Sequence, residues 1–307
     1  MKKHKIVFLD KLAIPENLLK KLEDRATVIL PKQSWPNEEE VIKSAKDATI
    51  LVSKWVHIGE KILRNAPNLS YVVMAMTGYQ DWVDIKKARV YNIKVSNVPD
   101  FSTEAVAEHA ILLILSVLRR LNSAQSTLKR GEFDPKFFKG VELKGKTLGI
   151  IGFGHIGKRI AEIAKGFGMK IVYITSKSSR NDMENLLKKS QILSISVPLT
   201  PKTHHLISEK ELSLLPKGAI VINTARGKVI DEKALIKYLK SGHLAGAGLD
   251  VFDKEPPDKY NPLFSLPNVV VTPHIAWNTK ESQERLAEGI VKNIESYLKG
   301  NPINIVT

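Results

Sequence analysis

The sequence predicts an α/β fold of two parallel-sheet domains. Three observations carry this reading. Short β-branched runs alternate with amphipathic helical patterns in two separate series, and a long apolar helix stands between them. At 307 residues and 43% hydrophobic content, the chain is also long enough to bury two cores.

The first series reads "KIVFLD", "ATVILP", "ATILVS", "YVVMAM" and "IKVSNV", five strands ending near Val98. Amphipathic segments such as "IPENLLKKLE" and "NEEEVIKSAK" separate them, and Asn37 three residues before Glu40 marks a helix N-terminus. Strand-helix alternation of this kind predicts a parallel sheet covered on both faces. A helix from about Ser102 to Leu121 follows, then a polar loop, "NSAQSTLKRGEFDPKFFKG". The alternation then restarts with "TLGIIGF", "KIVYIT", "ILSISVP", "AIVINTA", "LAGAGLDV" and "VVVTPH". Residues 99–278 are therefore expected to form one domain and residues 1–98 the other. The final helix, about Thr279 to Lys299, returns to the first domain, and a cleft is expected between the two.

Composition narrows the function classes. There is no cysteine, so disulfides, cysteine metal sites and thiol nucleophiles are excluded, which fits a reducing cytoplasm. In "MKKHKIVFLDKLAIP" the apolar stretch from Ile6 to Leu9 ends at Asp10, whereas a signal peptide needs about 7–15 apolar residues. The most apolar run, "AILLILSVL", stops at Arg119-Arg120, far short of the ~20 residues that span a bilayer. No membrane association is expected. The formal charge of +15 raises nucleic-acid binding, but the lysines are spread along the whole chain, mostly on polar helix faces. A solvated, heat-adapted surface is the preferred reading, with no nucleic-acid partner, and the charge draws small anions into any basic cleft.

"TLGIIGFGHIGKRIAEIAKGFGMKIVYIT" holds Gly152, Gly154, His155, Ile156 and Gly157 between an apolar strand and an amphipathic helix. That context turns a weak spacing into a dinucleotide turn of the Rossmann/flavodoxin-like kind. The first glycine allows the tight turn, the second lets backbone approach a pyrophosphate, and the third packs helix on strand. Glycines needed for packing alone are the competing explanation. An NAD site places a carboxylate about 20 residues further on, at the end of the next strand. Here stand Thr175, Ser176, Lys177, Ser178, Ser179 and Arg180. Hydroxyls with Lys177 and Arg180 suit a 2′-phosphate, so NADP(H) is preferred and NAD(H) is the alternative. Simple solvation of Lys177 and Arg180 is the other reading of that loop.

"AIVINTARGKV" starts as a buried strand and then delivers Arg226. A guanidinium buried there without an anion costs roughly 3–5 kcal/mol, so an anion is expected to meet it. "AGAGLDVFDKEPP" supplies Asp250 and Glu255, and "VVVTPHIAW" supplies His274, each just past a strand. Strand ends on one edge of a parallel sheet are where such folds bind ligands, so these residues can converge.

As an ordered set, "TGYQ", "STEAVAEHAILLIL", "GIIGFGHIGKRIA", "VPLTPKTHHLI", "VINTARGKVID", "LDVFDKEPP" and "TPHIAW" resemble the D-2-hydroxyacid dehydrogenases. That family includes glyoxylate and hydroxypyruvate reductases and phosphoglycerate dehydrogenase, and the resemblance spans nearly the whole chain. It implies that Arg226 grips the carboxylate and carbonyl oxygen of a 2-oxo acid, that His274 is the acid-base residue, and that Glu255 stabilises its imidazolium. It further implies that Asp250 meets the nicotinamide carboxamide. Val197, Pro198, Thr203, Thr224 and Ala225 then line the cofactor, and the backbone of Thr77 and Gly78 binds the substrate carboxylate. Lys54, at the end of the third strand, adds charge at the cleft mouth or is simply solvated. His4, His57, His109, His204, His205 and His243 have no such partners in the sequence, and no metal is expected.

The resemblance thus implies a reductase of small 2-oxo acids, glyoxylate or hydroxypyruvate first. The alternatives are a phosphoglycerate-type or other D-2-hydroxyacid dehydrogenase using NAD, and a nucleotide-sensing corepressor with the same triad. A homodimer is expected, with Phe133, Phe137 and Phe138 either reaching the neighbouring subunit or packing locally. With no regulatory domain evident after residue 307, end-product control is not expected.

Overall fold

In the computed structural model, which describes residues 4–31 and 36–307, the two series of β-branched runs become two parallel sheets. The chain divides into two units, Met1–Ser102 with Asn278–Thr307, and Thr103–Trp277.

The first unit runs β1 (His4–Phe8), α1 (Glu16–Glu23), β2 (Ala26–Ile29), α2 (Glu38–Ala45), β3 (Ile50–Ser53), α3 (Glu60–Arg64), β4 (Tyr71–Met74), α4 (Ile85–Val90) and β5 (Lys94–Asn97). Its strands lie in the order β2-β1-β3-β4-β5, all parallel. The buried strands β3 and β4 show no polar alternation because helices cover both faces of the sheet. Asn37 caps α2 as the sequence implies: its side chain accepts from the Glu40 N–H, and Glu40 accepts from the Asn37 N–H, each at 2.9 Å.

The second unit opens with α5 (Thr103–Leu118) and α6 (Leu121–Lys129). It continues through β6 (Thr147–Ile151), α7 (His155–Gly166), β7 (Lys170–Ile174), α8 (Arg180–Lys189), β8 (Ile192–Ile195), α9 (Glu209–Leu214), β9 (Ala219–Asn223), α10 (Glu232–Lys240), β10 (Leu244–Leu249) and β11 (Val269–Val271). The strand order is β11-β10-β9-β8-β6-β7. Two apolar layers sandwich this sheet, one built with α5 and α7, the other with α8, α9 and α10. The last helix, α11 (Lys280–Leu298), belongs to the first unit, where it packs on α1 and β4.

One expectation needs correcting. The helix expected over residues 102–121 ends at Leu118, and the polar stretch expected as a loop contains α6. Arg120 adopts φ 53° and ψ 38°, a left-handed conformation that breaks the two helices apart. Since α6 buries none of its residues, the apolar periodicity that would reveal it is missing.

Candidate active site

The turn after β6 assigns each glycine a separate reason. Gly152 has φ +94°, and a Cβ there would stand 2.4 Å from the Ser196 carbonyl oxygen. At Gly157 a Cβ would lie 2.2 Å from the Gly152 carbonyl oxygen, so strand and helix could not pack this closely. Gly154 caps α7 with no side-chain hydrogen bond, and a Cβ there would meet nothing within 4 Å. Open space in front of a helix N-terminus fits a pyrophosphate. The turn also lies where chain order reverses, since β6 pairs with β7 on one side and β8 on the other.

Thr175, Ser176 and Lys177 follow β7 and are exposed. The turn is tied by the Thr175 N–H donating to the Ser178 hydroxyl at 3.1 Å and the Lys177 N–H donating to the Thr175 hydroxyl at 3.2 Å. Arg180 departs from expectation. It starts α8, and its guanidinium donates to Glu211 and, at 3.4 Å, to Glu184, so a phosphate would have to compete with two carboxylates. Hydrogen bonds from Ser208 and Arg180 outweigh burial and hold the Glu211 carboxyl below its ordinary range. Past β8, the Thr203 hydroxyl donates to the Pro198 carbonyl at 2.6 Å and closes the segment that begins at Val197.

β9, β10 and β11 are neighbours, so the segments leaving them emerge side by side. After β9, buried Asn223 shapes the turn through Thr224 and Ala225. Its side chain accepts from the Ala225 N–H at 3.0 Å and donates to the Arg226 carbonyl at 2.9 Å. Arg226 is partly buried, and Nη1 donates to the Ala225 carbonyl at 2.9 Å. After β10, the Phe252 N–H donates to Glu255 Oε1 at 3.0 Å. After β11, His274 Nδ1 lies 2.7 Å from Glu255 Oε2.

Burial pushes the Glu255 carboxyl up. The bond to His274, the Phe252 N–H and the charge of Arg226 outweigh it and hold the group below the usual carboxylate range. Arg226, Glu255 and His274 are therefore electrostatically one cluster, 48 residues apart in sequence from first to last.

Asp250 is fully buried. Its Oδ1 accepts from the Thr272 hydroxyl at 2.6 Å and the Ile275 N–H at 2.9 Å, and Oδ2 accepts from the Ala276 N–H at 2.8 Å. One acceptor position on Oδ2 is left, so the expected contact with a carboxamide is confined to it. This carboxylate holds the turn that carries His274.

In the first unit Lys54 directly follows β3, and Thr77 and Gly78 come just after β4, its neighbour. Lys54 is buried, and desolvation brings its ammonium down to about 7 despite the pull of Asp10. The Asp10 carboxylate accepts from the Lys54 N–H at 2.7 Å, and Nζ stands 5.2 Å from the Trp55 ring centre. The Thr77 hydroxyl donates to the Val98 carbonyl at 3.2 Å. Among the described residues, no group of His, Cys, Asp and Glu could hold a metal ion, and no helix is long and apolar enough to cross a membrane.

The sequence profile of the D-isomer specific 2-hydroxyacid dehydrogenase NAD binding domain matches residues 111–276. The chain belongs to this family. Among its relatives, the glyoxylate reductase of Thermococcus litoralis is 43% identical over 95% of this chain and 94% of its own. The D-3-phosphoglycerate dehydrogenase of Methanocaldococcus jannaschii is 41% identical over 86% of this chain and 52% of its own. Among solved structures, an acyclic imino acid reductase in complex with NADPH and D-Arg superposes with a TM-score of 0.91 at 35% identity, covering 99% of this chain and 100% of that one.

Some residues around this candidate site carry no functional signal in the sequence. Asn223 could have been noticed as a polar residue ending a wholly apolar strand. The sequence points to no catalytic partner for His109, and in the fold its Nε2 lies 2.9 Å from the Thr272 hydroxyl and 3.7 Å from Asp250 Oδ1. Those partners lie more than a hundred residues away in sequence, beyond any local pattern. Trp277 likewise donates from Nε1 to the His274 carbonyl at 3.0 Å.

Proposed function

We propose that this D-2-hydroxyacid dehydrogenase reduces glyoxylate or hydroxypyruvate to the 2-hydroxy acid, with NADPH preferred to NADH. The observation that carries this reading is the Arg226, Glu255 and His274 cluster, with Glu255 Oε2 2.7 Å from His274 Nδ1. A planar guanidinium holds both the carboxylate and the carbonyl oxygen of a 2-oxo acid, and it meets the charge that develops on that oxygen. His274 gives its proton to the oxygen from Nε2, while Glu255 on the other nitrogen offsets the imidazolium charge. Bound nicotinamide supplies the hydride.

Support for NADPH comes from the exposed Thr175, Ser176 and Lys177 where an NAD enzyme carries a carboxylate. The relatives favour the small acids: the Thermococcus litoralis protein, a glyoxylate reductase, is matched along 94% of its length. We further read the protein as a cytoplasmic homodimer. Phe133 is 85% exposed and Phe137 69%, an aromatic pair that solvent does not favour and a second subunit would cover.

Steady-state rates on glyoxylate, hydroxypyruvate, pyruvate and a phosphorylated 2-oxo acid, each with NADPH and NADH, test the proposal. The highest kcat/KM is expected for one of the first two with NADPH. A phosphorylated acid with NADH ranking first would overturn it.

A further inference from the structure

His274 has φ +54°, a left-handed backbone conformation for a residue with a side chain. Such a conformation is strained and lasts only where surrounding contacts hold it. Here the His274 N–H donates to the carbonyls of Asp250 at 2.8 Å and Thr272 at 3.1 Å, and the next two N–H groups donate to the Asp250 carboxylate. Asp250 thus clamps three successive residues of the turn.

What holds Asp250 in place is a partly buried chain of side chains. A carboxylate only accepts, so the single Thr272 proton goes to Asp250 Oδ1 at 2.6 Å. Toward His109 the same hydroxyl can then only accept, and the 2.9 Å contact requires the proton to sit on His109 Nε2. Burial favours the neutral ring and outweighs the nearby Asp250 charge, in keeping with a neutral donor. His109 projects from α5, the helix packed beneath β10 and β11, so the chain ties the turn to the rigid core of the unit.

We infer that His109 and Thr272 are positioning residues for the acid-base step: with Asp250 they form a hydrogen-bonded relay that sets His274 on Glu255. The relay rests on the reading of His274 as the proton donor. A displacement on the order of 1 Å at the reacting group costs up to about 100-fold in rate, which sets the expected effect.

The test uses two pairs of variants of the full chain. Thr272→Val and His109→Leu remove the relay. Thr272→Ser keeps the hydroxyl, and His109→Gln keeps a donor at the same reach. Expected for the first pair is a fall in kcat of about 10- to 100-fold, with KM for the 2-oxo acid and the Kd of NADPH within about threefold. Thr272→Ser and His109→Gln should recover most of that loss. The inference is overturned if the first pair keeps kcat within about threefold of the parent. It is equally overturned if kcat and melting temperature fall while KM rises, and neither conservative variant recovers activity. Should Thr272→Val fail to fold, the His109 pair decides alone. His274→Ala, measured alongside, separates the two ideas: turnover surviving there refutes the proton-donor reading itself, whatever the relay variants do.

Discussion

The α-carbon of Gly227 lies directly against the main chain of Phe252: a Cβ built on it would stand 1.9 Å from both the carbonyl carbon and the oxygen. The segment that presents Arg226 and the segment that leads to Glu255 are therefore in backbone contact, with no flexible side chain between them to give way. Gly227→Ala is expected to cost about 1–3 kcal/mol of stability or more through overpacking. Because the shift falls beside Arg226, kcat/KM should drop about 100-fold. Thermal unfolding and steady-state kinetics check this, and parental values for both would contradict the contact.

Arg226→Lys replaces a planar fork by a point charge. If the arginine holds both the carboxylate and the developing oxyanion, KM rises and kcat falls together, kcat by about 100- to 1000-fold. A loss confined to melting temperature would return Arg226 to a purely structural role.

Glu255 is held below the ordinary carboxylate range, so it stays ionised as pH falls from neutral through that range and protonates only beneath it. Its support for the imidazolium is therefore complete at neutral pH and disappears only in stronger acid. Glu255→Gln removes it everywhere, and kcat for reduction should fall by about 10- to 100-fold with KM for the 2-oxo acid little changed. An unchanged kcat would break the pairing.

Lys54 titrates at about 7 in the folded chain, against an ordinary lysine value of 10.5. Between those pH values the unfolded chain binds the extra proton, so this group makes stability rise with pH across that window. Lys54→Met removes the buried charge. It should stabilise the protein most below about pH 7, with the gain fading toward pH 10, as read by denaturant melts. A gain independent of pH would show that the ammonium is not desolvated.

Lys177 and Arg180 flank the same loop but differ in their partners, since Arg180 is held by Glu211 and Glu184. If Lys177 receives a 2′-phosphate, Lys177→Ala should raise KM for NADPH by about 10- to 100-fold and leave NADH nearly unaffected. Arg180→Ala is expected instead to lower melting temperature, because it leaves the buried Glu211 carboxylate short of a partner. Equal effects of the two variants on NADPH would argue that Arg180 exchanges its carboxylates for phosphate.

The glycine turn was readable because its reasons are local: Gly152 and Gly157 restrain each other across five residues, through a carbonyl 2.2 Å from where a Cβ would be. The strands were readable for a similar reason, as runs such as Ala219–Asn223 are buried throughout and carry β-branched side chains. Helix α6 escaped because a helix with no buried face leaves no apolar period to find. Arg180 was legible as a cation near the ribose loop but not as a partner of Glu211, which comes from another helix.

Residue order alone settled the succession of strands and helices, the doubly covered sheets and the chemistry available at each strand end, since hydrophobic period and turn chemistry act within a few neighbours. Folding decided which of those groups meet. Crossovers bring β9, β10 and β11 side by side, and only then do Glu255 and His274 come within 2.7 Å and His109 within 2.9 Å of Thr272. Hydrogen bonds act over about 3 Å, so their partners are chosen by topology rather than by spacing along the chain.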